Sequence, residues 1–226
     1  MKVSVCVEAM VYEYHGVSIR WIGHDGFIIS NGVKILIDPY KTNIEEKADL
    51  ILISHGHFDH LSLDDLKKFV SYDTIIVAPK PCVQQLSTLN VKETIGVSPG
   101  ERVKAGGMDI NTIAAYNLNK FMQAGKVFHP RQDGGLGFIF TIDGVTIYHA
   151  GDTDHIPEMQ DLDVDIALLP VSGTYVMTAE EASQAAVDIK TKIAIPMHYG
   201  TIVGDVGDAN RFKVLASCEV HVLTVD

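Results

Sequence analysis

The chain has 226 residues, of which 46% are apolar and 21% charged, so it has ample material for a buried core and is not disordered as its dominant state. Its 29 acidic and 18 basic side chains leave a net charge of −11, and no basic run is longer than Lys67-Lys68, which disfavours DNA or RNA as a partner. A membrane-spanning helix needs about 18 consecutive apolar residues; the richest runs, Leu50 to Ile53 and Ile166 to Val171, are far shorter, so no membrane role is expected.

In chain order, the first segment alternates Val3, Val5, Val7 and reads as an added edge strand, unless Met10 is the functional start. It has no long apolar core and no small-residue cleavage site, so it is not read as a secretory signal. Short β-rich runs bounded by Gly, Asn or Asp follow: Val17 to Ile22, Gly26 to Ile29, Val33 to Ile37, Leu50 to Ser54, Thr74 to Ala78, Met108 to Ala114, Gly137 to Ile142, Val145 to His149, Asp165 to Pro170, Lys192 to Pro196 and Glu219 to Thr224. Asn31-Gly32 and Asp143-Gly144 supply the positive φ values of two-residue hairpin turns. Helices are expected after Ser62, over Pro81 to Leu89, from Thr178 to about Lys190, and from about Val206 to Ala216. The stretch from Tyr116 to Gly135 is the one long loop, expected to act as a lid or site loop. With no linker in view, residues 1–226 are read as one domain. Cys6, Cys82 and Cys218 are odd in number and widely spaced, which argues against a disulfide framework and for a reducing cytoplasm.

Ser54-His55-Gly56-His57-Phe58-Asp59-His60 is the densest chemistry in the chain: three imidazoles and a carboxylate directly after an apolar strand. Imidazole nitrogen and carboxylate oxygen are ligands for Zn²⁺ and related divalent ions, and a spacing of two puts His55 and His57 on one side of an extended turn. Packing does not account for such a cluster. It reads as a metal site.

His-x-His-x-Asp-His after a strand resembles the signature of the metallo-β-lactamase fold hydrolases. Further pieces match in order: Trp21 to Phe27, Ile37-Asp38-Pro39, Tyr148 to Thr153, and Ile195 to Thr201. The likeness covers nearly the whole chain and is nearest to the small prokaryotic Zn-dependent hydrolases, relatives of ascorbate-6-phosphate lactonase and N-acylphosphatidylethanolamine phospholipase. It implies a four-layer αββα sandwich with metals at one edge. It also implies that His55 and His57 hold a first ion, that Asp59, His60 and His198 hold a second, and that Asp152 bridges them. Two divalent ions about 3.5–4 Å apart can acidify a shared water and polarise the oxygen that gains charge, so hydrolysis of a small ester, lactone or phosphoester follows, with Asp59 orienting the nucleophile. Zinc is the expected metal and Mn²⁺ the second choice. Self-association stays open.

One departure stands out. The superfamily usually supplies a third histidine for the first metal just after the strand corresponding to Met108 to Ala114, whereas this chain reads Ala115-Tyr116-Asn117. Two residues compete to replace it: Asn117, a weak neutral ligand, and His129, held before Pro130 in the long loop. His129 is otherwise a surface histidine. His24, Asp38 and His149 are either partners that orient ligands through hydrogen bonds or ordinary buried polar residues. Ser172 to Tyr175 reads as a pocket lining or a plain turn, and His15 and His221 match nothing. The rival class is an iron-dependent oxidoreductase or a non-catalytic metal-binding protein of the same fold. Its di-iron electron-transfer branch usually carries a carboxylate where this chain has His57.

Overall fold

The computed structural model describes residues 10–225; the added edge strand expected in residues 1–9, with Cys6, lies outside them. One mixed sheet runs in chain order through β1 (Val11–Tyr14), β2 (Val17–Gly23), β3 (Gly26–Asn31), β4 (Val33–Ile37), β5 (Leu50–Leu52), β6 (Ile75–Pro79) and β7 (Glu93–Val97). Its first four strands are antiparallel neighbours, and β4 through β7 run parallel. A second sheet takes β8 (Arg102–Ala105), β9 (Met108–Ala114), β12 (Leu136–Ile142), β13 (Val145–His149), β14 (Ile166–Pro170), β15 (Ile193–Met197) and β16 (Glu219–Val220), in the order β16-β15-β14-β13-β12-β9-β8. Between its halves the chain forms a small hairpin of β10 (Phe121–Gln123) and β11 (Lys126–Val127).

Side-chain alternation along the strands assigns the layers. In β4 and β5, Ile35, Ile37, Leu50 and Leu52 face the core shared by the two sheets, with Trp21, Phe138 and Phe140. Leu36 and Ile51 point the other way, against Leu66 and Phe69 of α1 (Leu63–Phe69) and Leu86 of α2 (Val83–Leu86). On the far side, Ala182, Ala185, Ala186 and Ile189 of α3 (Ala179–Ile189) and Phe212 of α4 (Val206–Leu215) pack onto the second sheet. The result is the four-layer αββα sandwich. Among the described residues no helix is long and apolar enough to cross a membrane.

The helix starts follow their capping chemistry. Ser62 accepts the Asp65 N–H, and Thr178 exchanges hydrogen bonds with Glu181 in a full capping box. The Asp143-Gly144 turn has both residues at positive φ (46° and 78°) between the paired Ile142 and Val145, as a two-residue turn demands. The Asn31-Gly32 turn differs from the expectation. Asn31 stays in β3 paired with Val33, Gly32 alone turns (φ 74°), and the Asn31 amide donates across to Asp143 Oδ2 at 2.8 Å.

Other expectations need correction. The final run pairs only over Glu219–Val220, and the expected helix over Pro81 to Leu89 contracts to Val83–Leu86 behind a 3₁₀ turn. Strands β1, β7 and β8, all at sheet edges, were not foreseen: Glu13, Glu93, Gly96, Arg102 and Lys104 break up their apolar pattern, as edge strands tolerate. The long loop is not an untethered lid. Asp154 accepts the backbone N–H groups of Leu118 (2.6 Å) and Asn119 (2.8 Å), and Lys120 pairs with Glu181 at 2.7 Å, which ties the segment leading into the β10–β11 hairpin to the loop after β13 and to α3.

Candidate metal centre

The site gathers where strands end. His24 and Asp25 form the β2–β3 turn, Asp38 follows β4, and His55 to His60 follow β5. Asp152 follows β13 and His198 follows β15. Ligand-bearing loops collect at this C-terminal edge because parallel strands deliver their connections to one side. The backbone is bent to reach it: His24 (φ 54°), Asp38 (φ 40°) and His198 (φ 60°) all adopt the left-handed region that non-glycine residues rarely enter. Gly151 lets the chain turn from β13 into Asp152, since its φ is 63° and an added Cβ would lie 2.6 Å from the Leu136 carbonyl oxygen.

Asp152 is the hub. Its Oδ2 lies 3.2 Å from His129 Nε2, 3.3 Å from His198 Nε2, 3.5 Å from His60 Nε2 and 3.9 Å from His55 Nε2. His57 Nδ1 sits 3.0 Å from His55 Nε2 and 3.2 Å from His129 Nε2, so those three imidazoles converge. On the inner side, His60 Nε2 is 3.8 Å from Asp59 Oδ2. The structure thus brings His129, from the middle of the long loop, beside His55 and His57.

Asn117 takes a different place. Its Oδ1 accepts the His129 N–H at 2.9 Å and faces His129 Nδ1 at 3.0 Å, while its Nδ2 donates to the Tyr175 carbonyl at 2.7 Å. The amide orients the imidazole from behind. The same pattern repeats around the cluster: Ser54 Oγ lies 3.0 Å from His55 Nδ1, Asp38 Oδ2 lies 2.9 Å from His60 Nδ1, and Ser172 Oγ lies 3.1 Å from His198 Nδ1. With its outer nitrogen engaged by an oxygen, each ring presents Nε2 inward. His24 Nε2 donates to Asp59 Oδ2 at 3.0 Å, and Ser54 in turn donates its N–H to Asp38 Oδ1 at 2.8 Å. His149 touches no imidazole of the cluster; its Nε2 donates to the Asp25 carbonyl at 3.0 Å and its Nδ1 accepts the Gly151 N–H at 3.2 Å, which fixes two of the turns.

Sequence reasoning missed Asp25, Ser54, Ser172 as a histidine partner, and Asp154. Ser54 and Asp25 flank histidines already singled out, and that adjacency was the available signal. His155 and His221 bind carboxylates outside the site, Asp188 and Glu219, each at 2.8 Å.

Several buried donor atoms here have no hydrogen-bond partner: both oxygens of Asp25, Oδ1 of Asp152, and Nε2 of His60 and of His198. Buried polar atoms are nearly always satisfied, so this concentration fits cations held between them. Burial, reinforced by His60, pushes the His55 imidazole well below its ordinary pKa, and burial with His129 lowers that of His57. Their lone pairs are therefore available. Burial opposes ionisation of Asp152, yet His198 and His60 hold its carboxyl well below the usual range. For Asp59, burial is outweighed by the His24 hydrogen bond and the His60 imidazole, which hold it low.

Two cavities open onto the cluster and share His57, His129 and Asp152. One, of about 210 Å³, is lined by Pro81, Cys82, Gln85 and Asp133. The other, of about 300 Å³, is lined by Phe58, Met122, Phe128, Tyr175 and Ile202. Neither has a Lys or Arg in its lining.

Comparisons with known proteins identify the family. Residues 18–198 match the family model of the beta-lactamase superfamily domain. A UPF0173 metal-dependent hydrolase of Thermoplasma acidophilum is 36% identical over 88% of this chain and 90% of its own length. One from Archaeoglobus fulgidus is 34% identical over 81% and 83%. The crystal structure of a metal-dependent hydrolase from Parabacteroides distasonis, described as putative in its name, superposes with a TM-score of 0.81 at 30% identity, covering 96% of this chain and 98% of that one. The chain belongs to the beta-lactamase superfamily and is a metal-dependent hydrolase of that fold.

Proposed function

We propose that residues 1–226 work as one hydrolase domain that holds two divalent ions, zinc in the first instance and Mn²⁺ as the alternative, and cleaves a small ester, lactone or phosphoester. The observation that carries this reading is the set of four imidazoles, of His55, His60, His129 and His198, each anchored at Nδ1 and aimed through Nε2 at one carboxylate oxygen of Asp152. His55, His57 and His129 would hold the outer ion, Asp59, His60 and His198 the inner one, and Asp152 would bridge. Two such ions lower the pKa of water and polarise the substrate oxygen that gains charge.

The chain's own groups do the rest. Asp59, half-buried and fixed by His24, is placed to orient the attacking water and accept its proton. Asn117, Ser54, Asp38 and Ser172 keep the imidazoles in one tautomer and orientation. The apolar cavity beside His57 suits the hydrocarbon part of a substrate. With no cationic side chain in either lining, a neutral ester or lactone, or a singly charged phosphodiester, is favoured over a doubly charged phosphomonoester.

The test is elemental analysis and turnover of purified protein loaded separately with Zn²⁺ and Mn²⁺, against chromogenic esters, lactones, phosphodiesters and phosphomonoesters. About two ions per chain are expected in the wild type, with the outer ion and the activity lost in the His55→Ala/His57→Ala variant. Absence of bound metal, or O₂ consumption by an iron-loaded form without hydrolysis, would overturn the reading.

A further inference from the structure

Asp25 is the anomaly of the site. It is fully buried, and neither carboxylate oxygen has a hydrogen-bond partner. Its Oδ2 lies 3.5 Å from His60 Nε2 and 3.9 Å from His24 Nε2, and its ligand atom belongs with those of His24, His60 and His198 in a group lying within 4.8 Å of one another. The main chain is built to keep it there. The left-handed His24 precedes it, the His24 carbonyl is held by the Trp21 indole N–H (2.8 Å) and the His198 N–H (3.0 Å), and the Asp25 carbonyl accepts from His149.

A carboxyl kept for packing would find a donor or give way to an apolar residue, because an unsatisfied buried polar group is costly. Gly26 beside it shows how little room the turn has: an added Cβ there would lie 2.7 Å from Ile22 Cγ1 and 2.9 Å from the Gly23 carbonyl oxygen. Buried carboxylates persist when they are paired or coordinate a metal. Among the described residues the basic side chains nearest the Asp25 carboxylate are the imidazoles of His60, aimed through Nε2 at Asp152 as well, and of His24, whose Nε2 is engaged by Asp59.

We propose that Asp25 is a ligand of the inner metal position, which then has three carboxylates, Asp25, Asp59 and Asp152, and two imidazoles, His60 and His198. This rests on the two-ion reading above. A catalytic zinc site ordinarily uses three protein ligands and an open position in tetrahedral geometry. Five protein donors rich in oxygen instead suit an ion that accepts higher coordination, with Mn²⁺ the matching class. The two positions of the site would therefore differ in chemistry: an imidazole-rich outer position for Zn²⁺ and a carboxylate-rich inner position that tolerates Mn²⁺.

The experiment compares metal-free wild type, Asp25→Asn and Asp25→Ser by calorimetric titration with Zn²⁺ and with Mn²⁺, by the absorption spectrum after Co²⁺ loading, and by thermal unfolding. Wild type should bind two ions. Both variants should keep the tighter Zn²⁺ event and lose at least tenfold in Mn²⁺ affinity at the other. The Co²⁺ absorption of the variants should intensify as coordination number falls. Without metal, Asp25→Asn should unfold no lower than wild type, since an unpaired buried carboxylate has been removed; with metal it should unfold lower. Two ions bound by wild type with Mn²⁺ affinity and Co²⁺ spectrum unchanged in both variants would overturn the assignment of Asp25 alone. Equal loss of stability in metal-free and metal-loaded variants would reduce Asp25 to a packing residue and overturn it too. Failure of wild type to bind any ion would overturn the two-ion reading together with it.

Discussion

Asp59 and His129 separate the roles of ligand, base and orienting group at the scale of single side chains. Asp59→Asn is nearly isosteric and retains an oxygen for His24 Nε2, so the fold should persist. An amide is a poor base and a weak ligand, so hydrolysis should fall by 10²-fold or more, on the order of general-base contributions. Steady-state kinetics at matched metal occupancy measures this, and unchanged kcat would remove Asp59 from the mechanism. His129→Ala should cost one metal equivalent by elemental analysis. Asn117→Ala should keep both ions but weaken binding by roughly 10–100-fold, the usual effect of removing a group that orients a ligand. The reverse ranking would make Asn117 the ligand. Composition, spacing and the superfamily pattern made the histidine run legible as a metal site, but they left His129 and Asn117 tied. Which of two residues twelve positions apart points inward depends on the path of the loop between them.

At the scale of elements, the helices hang on local chemistry that is testable by itself. Asp65 in α1 accepts from the Lys41 N–H at 2.9 Å and from Ser62 Oγ at 2.7 Å, and pairs with Lys68 at 2.8 Å. Burial opposes its ionisation, but Lys68, Ser62 and the Lys41 amide hold its pKa below the ordinary value. A depressed folded-state pKa adds stability that is fully present above the unfolded value, about 3.9, and lost as the pH falls through the folded value. Asp65→Ala should therefore cost about 1–3 kcal/mol at neutral pH, with the gap to wild type closing only below about pH 4; denaturant melts at pH 7 and pH 3 check both parts. In α3, Thr178→Ala removes the cap that accepts the Glu181 N–H and should cost about 1 kcal/mol, read as a lower midpoint with an unchanged m-value. These caps were legible as Ser and Thr three residues ahead of an acidic residue. The edge strands β1, β7 and β8 were not, because a strand paired on one side needs no clean apolar alternation. The β10–β11 hairpin was hidden for a related reason: its strand residues are mostly exposed, and the ties that hold the loop come from Asp154 and Glu181, far along the chain.

Metal and fold are linked across the whole molecule, because the donors come from the ends of strands in both sheets. Ions that bind the folded but not the unfolded chain stabilise it by mass action, about 2.7 kcal/mol for a site at 100 times its dissociation constant. For a domain of this length that is roughly 5–10 °C in melting temperature. Thermal unfolding of chelator-treated and Zn²⁺-loaded protein should show that difference, and coincident curves would place the ions outside the folded-state balance. The sequence by itself determined the β-rich class, the αββα resemblance and the dense histidine cluster of His55 to His60, because these rest on local periodicity and on residues a few positions apart. Only the tertiary structure decided that His129 joins His55 and His57, that Asn117, Ser54, Asp38 and Ser172 stand behind the imidazoles, and that Asp25 faces His60 with no hydrogen-bond partner. Those relations hold between residues tens of positions apart, and they exist only because two sheets bring the ends of their strands to one edge.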